Sequence, residues 1–435
     1  MKPSSTSAES APSESVLRAF VAAAFLIFFQ AFMVAPLIPS LATLFHVSEE
    51  SLGRVVPVYM IPYGLGSLAL GFISDRLGLR RIVLRSLAAF VLLTALTATS
   101  RSAGELLAWR ALTGACACGV VPLGLVWVGK TYPPASRGRP MGWVFGAMAG
   151  GMAFGSTFGA LLSPWIGFRG LFLGVALLGA GVFLRFVRHR HWLSTADQRA
   201  VPSLSEVAQG YRQLLSAPLG ARTYAFVFVN GVFHSGTYTW LGVLFARHYG
   251  LDEARIGLAL LSYGVPGFLL GPLIGRLVDR FGRSALLPLG FFVAGASACA
   301  LGGHPSLAVA CIAVGTMSLG YDLSQPLLAG LVTVLGGERK GLAMGLNVFT
   351  LFVGSGVGSL LFGRALRWGF TPALLAFAVL QLAASLLSLR LFSREALASM
   401  SAASPSSPAG QTATPKAAPS SHVQRDHQST PSLGS

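Results

Sequence analysis

Charge is scarce in this chain. Only 11% of its 435 residues are Asp, Glu, Lys or Arg, and only 15 are acidic. A soluble domain carries about 25% charged residues, so a water-facing surface along the whole chain is excluded. Cysteine is scarcer still. Cys116, Cys118, Cys299 and Cys311 all fall inside apolar runs, where no disulfide framework and no metal-ligand spacing emerges. No phosphate-cradling loop and no nucleophile–base pair is legible, so there is no enzyme chemistry and no cofactor to assign. The net charge is +17, yet the basic stripe with interleaved aromatics that a nucleic-acid partner would need is missing.

Apolar sequence fills the space instead, at 53% of residues. Twelve runs are each long enough to cross a hydrocarbon core of about 30 Å. They fall near 17–40, 54–74, 82–99, 105–128, 141–162, 167–187, 222–245, 255–275, 284–302, 306–333, 343–363 and 371–391. With the N-terminus in the cytoplasm and sides alternating, most of the 32 Lys and Arg residues fall on the cytoplasmic side. That bias sets orientation, so the positive charge reports topology, with both termini cytoplasmic. Residues 1–16 read as a cytoplasmic tail, and the first apolar run reads as a permanent helix, since no small-residue cleavage site precedes it. Residues 188–221 read as a cytoplasmic linker between two six-helix bundles, 17–187 and 222–392. Its stretch 203–215 has the pattern of a surface amphipathic helix. Beyond 393 the composition turns to Ser, Pro, Ala and Thr, which predicts a disordered cytoplasmic tail through 435.

One motif occurs twice. Gly71, Asp75, Arg76, Gly78, Arg80 and Arg81 close the second run; Gly275, Asp279, Arg280 and Gly282 repeat its Gly, Asp, Arg and Gly at a constant offset at the end of the eighth, followed by Arg283. Pro122 and Pro326 share that offset. Gly155 and Gly159 in the fifth run match Gly354 and Gly358 in the eleventh. A repeat with apolar flanks points to a duplicated membrane bundle, which is a transporter architecture. In the loop motif a carboxylate can cap neighbouring helix N-termini and pair with arginines while one gate is closed. The motif then reads as a conformational latch; the arginines alone would also follow from topology. Gly78 and Gly282 suit a tight turn, and small residues such as Gly114, Gly155, Gly159, Gly354 and Gly358 suit close helix packing.

These features resemble the major facilitator superfamily over about residues 17–392. Its loop signature is complete in the first half and shortened in the second, where Ser284 replaces a basic residue. Arg110 to Gly114 is similar to an Arg-x-x-x-Gly signature of proton-coupled members. The chain departs from the drug-antiporter pattern twice: Ser156 stands where a proline follows Gly155, and Gln30 lies near where an acidic residue is common. The resemblance implies an all-α fold of twelve transmembrane helices in two pseudo-symmetric bundles. It also implies a monomer, and a central cavity lined by the first, fourth, seventh and tenth helices.

The tenth run carries Asp322 near the membrane midplane, flanked by Tyr321 and Gln325. A carboxylate there costs about 2.5–3.5 kcal/mol even on modest insertion scales, so it needs a partner or a task. It reads as a proton or substrate site, or else as a structural hydrogen bond. On the seventh run His234 lies at matching depth, with Asn230 and Tyr238 on its face; it reads as a second proton site or a satisfied core histidine. Arg110, on the fourth, reads as a rim pair with Glu105, or as a fixed charge tuning an acid or receiving an anion. Gln30 completes a polar spot on the first. Tyr63, Trp240 and Tyr263 are candidate aromatic contacts for a small lipophilic or amphipathic substrate.

The reading is a secondary transporter in a bacterial inner membrane, working by alternating access and exporting a small organic molecule against protons. The alternatives are symport or uniport uptake of a small, anionic metabolite, and a membrane sensor that has lost transport.

Overall fold

The computed structural model describes residues 10–133, 136, 138–193 and 203–393, and among them only helices and their connections occur. In chain order the helices are α1 (Ser10–Phe32), α2 (Ile38–Phe45), α3 (Glu49–Leu52), α4 (Pro57–Leu77), α5 (Leu79–Ala98), α6 (Ala103–Ala117), α7 (Val121–Thr131), α8 (Gly138–Arg188), α9 (Leu204–Ser216), α10 (Pro218–Tyr249), α11 (Glu253–Phe281), α12 (Arg283–Gly302), α13 (Leu307–Leu335), α14 (Lys340–Ala365) and α15 (Phe370–Leu391). Four of the expected spans are built differently from a single run. α1 continues through a 3-10 turn containing Pro36 into α2. α6 and α7 break around Cys118–Val120, with Pro122 in the first turn of α7. The fifth and sixth runs form one 51-residue element, α8, turned at Gly167 with φ 65°. At about 1.5 Å per residue that is twice a bilayer's thickness, so its arms are two spans.

Twelve rods result among the described residues, and eight helical stretches are long and apolar enough to cross a membrane. Their outward faces stay apolar: Leu177 is 75% exposed and Leu386 68%. In lipid such side chains need no partner; close backbone approach and dispersion hold the rods together. Glycine permits that approach. A Cβ on Gly155 would lie 2.5 Å from the carbonyl oxygen of Phe29, and one on Gly159 would lie 2.4 Å from that of Met33. In the second half, a Cβ on Gly354 would lie 2.6 Å from Phe228 O and one on Gly358 would lie 2.0 Å from Val232 O. Glycine and carbonyl are displaced by the same number of residues between the halves, so one packing solution is used twice. Gly114 seats α6 on α4 in the same way: a Cβ there would lie 2.1 Å from Tyr59 O.

The repeated loop turn is also symmetric. Gly78 (φ 81°, ψ 138°) starts α5 and Gly282 (φ 78°, ψ 163°) starts α12. Side-chain-bearing residues rarely hold these angles, at a cost of about 1–3 kcal/mol. We expect Gly78→Ala and Gly282→Ala each to lower the melting temperature of the purified protein, whereas Gly129→Ala, at an open helical position, should not. Equal melting temperatures for all three would refute the requirement. The side chains of residues 71–76, 265–276, 278 and 279 lie outside the described ones. Gly71, Asp75, Arg76, Gly275 and Asp279 therefore enter only through the sequence. Arg80 and Arg283 are half-exposed to exposed at the starts of α5 and α12, and the Arg280 guanidinium lies 5.3 Å from the Phe281 ring.

Between the halves, α9 covers the stretch expected to be amphipathic. Ser203 caps it in a reciprocal box with Glu206; the amide and hydroxyl of Ser203 hold that carboxyl below its usual range. Tyr211 donates to Leu68 O at 3.2 Å, and Arg339 donates to Gln213 Oε1 at 2.7 Å. α9 thus touches α4 of one half and the approach to α14 of the other.

Candidate functional site

The second half gathers an aromatic and ionisable cluster where α10, α11 and α13 meet. His234 is buried, and its Nδ1 lies 2.5 Å from the Tyr263 hydroxyl. Its ring stacks on Tyr321 (centroids 3.8 Å apart, 16° between planes) and lies nearly parallel to Tyr238 at 5.9 Å. Tyr238 packs on Tyr263 at 4.6 Å, and edge-on against Phe32 of α1 at 5.5 Å. The cluster therefore reaches the first half. His234 Nε2 is buried and has no hydrogen-bond partner. Whichever tautomer the Tyr263 bond selects, a ring nitrogen is left with a donor or a lone pair to offer.

Asp322 follows Tyr321 midway along α13 and is half-buried. Ser318, one turn earlier, donates to its Oδ2 at 3.2 Å. No hydrogen bond or ion pair joins Asp322 to His234 among the described residues; Tyr321, the chain neighbour of Asp322, is the ring stacked on His234. Ser318 was not singled out from the sequence, although an i, i+4 serine before a buried carboxylate is a legible signal.

Asn230 and Gln325 belong to a neighbouring network. Asn230 donates to Gln325 Oε1 at 3.0 Å, and its own oxygen accepts from Ser324 at 3.3 Å and Gln381 at 3.2 Å. This knot ties α10, α13 and α15 through a buried amide. Asn230 is thereby engaged in packing the half, one turn from His234.

Arg110 is fully buried in the first half. Nε donates to Val55 O at 3.1 Å, Nη1 to Gln30 O at 3.0 Å and Gln30 Oε1 at 3.4 Å, and Nη2 to Ala31 O at 2.9 Å. The guanidinium also lies 4.7 Å from the centre of the Tyr59 ring. Gln30 and Ala31 belong to the last turn of α1, whose carbonyls have no onward helical donors and carry the negative end of the dipole. Arg110 thus caps α1 from a neighbouring helix. Glu105 accepts instead from the Arg101 amide at 2.8 Å, so the rim pair with Arg110 does not form. Gln30 Nε2 is left without a partner.

The remaining aromatic candidates lie in the seam between the halves. Tyr63 packs against Phe352 of α14 at 4.7 Å and is buried. Trp240 donates to Ser359 O at 3.1 Å, and its ring fills the space that Cβ atoms on Gly53 and Gly363 would need. At that end, opposite the loop motif, Glu49 pairs with Arg247 at 2.6 Å and Glu50 with Arg367 at 2.8 Å. Each pair joins one half to the other. Sequence reasoning missed both, since nothing local links residues so far apart in the chain.

Two six-rod halves, closed against each other at one end around buried polar groups, define a multi-pass membrane carrier. The family model of the Major Facilitator Superfamily matches residues 20–252 and 223–426. The chain belongs to that superfamily: it is an all-α secondary transporter and an integral multi-pass membrane protein, not an enzyme. It is 26% identical to the uncharacterized MFS-type transporter YceJ of Bacillus subtilis over 79% of this chain and 87% of that protein. It is 26% identical to the 4-hydroxybenzoate transporter PcaK of Pseudomonas aeruginosa, over 78% and 83% respectively. With citrate exporter 1 of Aspergillus niger it shares 26% identity, over 56% of this chain and 53% of that one. Among solved structures, the human organic anion transporter MFSD10 (TETRAN) superposes with a TM-score of 0.69 at 19% identity, covering 87% of this chain and all of that one. A D-xylose-proton symporter gives 0.68 at 16%, covering 87% and 97%. These likenesses are to the fold.

Proposed function

We propose that the protein exports a small organic molecule in exchange for protons across a bacterial inner membrane, as a monomer with both termini cytoplasmic. One observation carries the reading: a buried histidine with an unpartnered Nε2 shares an aromatic cluster with a half-buried carboxylate midway along a spanning helix. Apart from Ser318, nothing among the described residues hydrogen-bonds or pairs with the Asp322 carboxylate, so a proton or a substrate group is the remaining way to offset its charge in lipid. The ion pairs of Glu49 and Glu50 then close the outer end. Asp322, with His234, takes a proton from outside as substrate leaves; the halves rock; the proton leaves inward before new substrate binds. Each protonation changes the charge of the site and so biases which end closes. The Asp75 and Asp279 loops serve as latches on the inner end. The tyrosine-rich walls suit a substrate with an aromatic or lipophilic body.

Uptake of an anionic metabolite is the second reading. It is favoured by Arg110, a buried cation with no carboxylate partner among the described residues, and by relatives named for 4-hydroxybenzoate and citrate.

Reconstituted vesicles holding a pH-sensitive dye separate the cases. Substrate-dependent proton movement in the wild type, lost in Asp322→Asn and reduced in His234→Gln, is the expected result. Substrate flux without proton movement, unchanged in Asp322→Asn, would leave a uniporter in which Asp322 is structural.

A further inference from the structure

Most cationic residues of the chain lie toward the loop-motif end, as the positive-inside bias demands. Of the arginines at the opposite end, which include Arg247, three line one cavity. Arg54, Arg364 and Arg367 surround a space of about 330 Å3 at the opposite end, with Glu50 as the acidic member and Trp240 and Ser359 in its lining. Glu50 answers Arg367 at 2.8 Å. Arg54 spends Nε and Nη2 on Ser51, at 3.1 Å and 2.7 Å, which leaves Nη1 unassigned. Arg364 has no side-chain partner among the described residues. Arg54 and Arg364, both exposed, thus line one small cleft beside a buried tryptophan.

The two walls come from different halves. Arg54 sits in the 3-10 turn Gly53–Val55 that leads into α4, whereas Arg364 and Arg367 end α14 and begin the following turn. Trp240 wedges between Gly53 and Gly363 and closes the floor. The cavity is complete only while this end of the carrier is shut.

We propose that this cavity is an anion site, separate from the cluster around His234, and that it binds a small organic carboxylate with an apolar body. The carboxylate bridges Arg54 Nη1 and the Arg364 guanidinium through charge-assisted hydrogen bonds, and the apolar body lies against Trp240. Such a ligand adds a link between the halves next to the Glu50–Arg367 pair, so it favours the state closed at this end and slows its opening. The site does not depend on proton coupling or on the direction of transport.

Equilibrium dialysis of the purified full-length protein with radiolabelled benzoate tests this, with benzamide as the uncharged control. Wild type is expected to bind benzoate and not benzamide. The double variant Arg54→Gln/Arg364→Gln should raise the benzoate Kd at least about tenfold, since two charge-assisted bonds are removed. Arg364→Lys, which retains the charge, should keep part of the affinity, and Arg255→Gln, at an exposed arginine that pairs with Asp252 outside the cavity, should leave it unchanged. Equal Kd values for wild type and the double variant would overturn the site. Weak benzoate binding together with arginine-dependent retention of phosphatidylglycerol would overturn the carboxylate assignment and give the cleft to a lipid headgroup.

Discussion

Gly358→Val is expected to prevent assembly of a stable second half. Modest thermal destabilisation is the least effect the geometry allows. The hydrogen that Gly358 presents to α10 stands where a Cβ would fall 2.0 Å from Val232 O and 2.6 Å from both its carbonyl carbon and its Cα. These are backbone atoms of a buried helix, so no rotamer change can clear them. α14 would have to move away from α10 along its length, giving up the matching approach of Gly354 to Phe228 O and of Gly231 to Leu351 O. Overpacking within a core typically costs about 1–3 kcal/mol; a clash with main chain belongs at or above that upper end. In lipid the lost dispersion has no hydrophobic substitute. Detergent-solubilised Gly358→Val should elute as aggregate, or melt well below wild type. Gly159→Val should behave alike because its Cβ would lie 2.4 Å from Met33 O. Gly146→Ala, with open space around it, is the control. A Gly358→Val protein that melts with wild type would show that the two helices do not pack this closely.

The glycine stripes were legible because the repeat displays them twice, and the twelve runs were legible because a bilayer demands length and apolarity together. Interruptions were harder to see. The apolar pattern separates 141–162 from 167–187, and the turn at Gly167 falls at that boundary; the break around Cys118–Val120 lies inside one apolar run, where Pro122 alone does not announce that a separate helix starts. The site divides in the same way. His234 and Asp322 stood out because a polar group in an apolar run has an energetic cost that must be met. Their mutual placement around Tyr321 and Tyr263 was not readable, since ring stacking depends on how three helices rotate about their axes. Sequence reports the depth of Trp240 in the membrane but not which neighbours it faces; its place in the seam between the halves, against Gly53 and Gly363, was not readable. Glu49–Arg247 and Glu50–Arg367 were invisible for a simpler reason: a single sequence carries no record of which distant charges meet.

Arg110 separates a structural charge from a functional one. Its hydrogen bonds end on main-chain carbonyls at Gln30, Ala31 and Val55, plus the side chain of Gln30, so its removal leaves four buried acceptors, three of them main-chain, on two different segments. At about 1–3 kcal/mol for each unsatisfied group, Arg110→Leu should lose roughly 3 kcal/mol or more and loosen the end of α1 from the start of α4. Its melting temperature should fall sharply, and transport should fall with it. Arg110→Lys keeps the charge at the α1 C-terminus, where it still opposes the dipole. One ammonium cannot reproduce a planar fork that spans both segments, so this variant should recover part of the stability and little of the transport. Asp322→Asn should show the reverse pattern, a melting temperature close to wild type with proton movement abolished. Differential scanning fluorimetry and the vesicle assay, run on all three variants, check both halves of the contrast. If Arg110→Leu melted like wild type yet transported nothing, capping of α1 would not be its main task, and its charge would belong to the transport cycle itself.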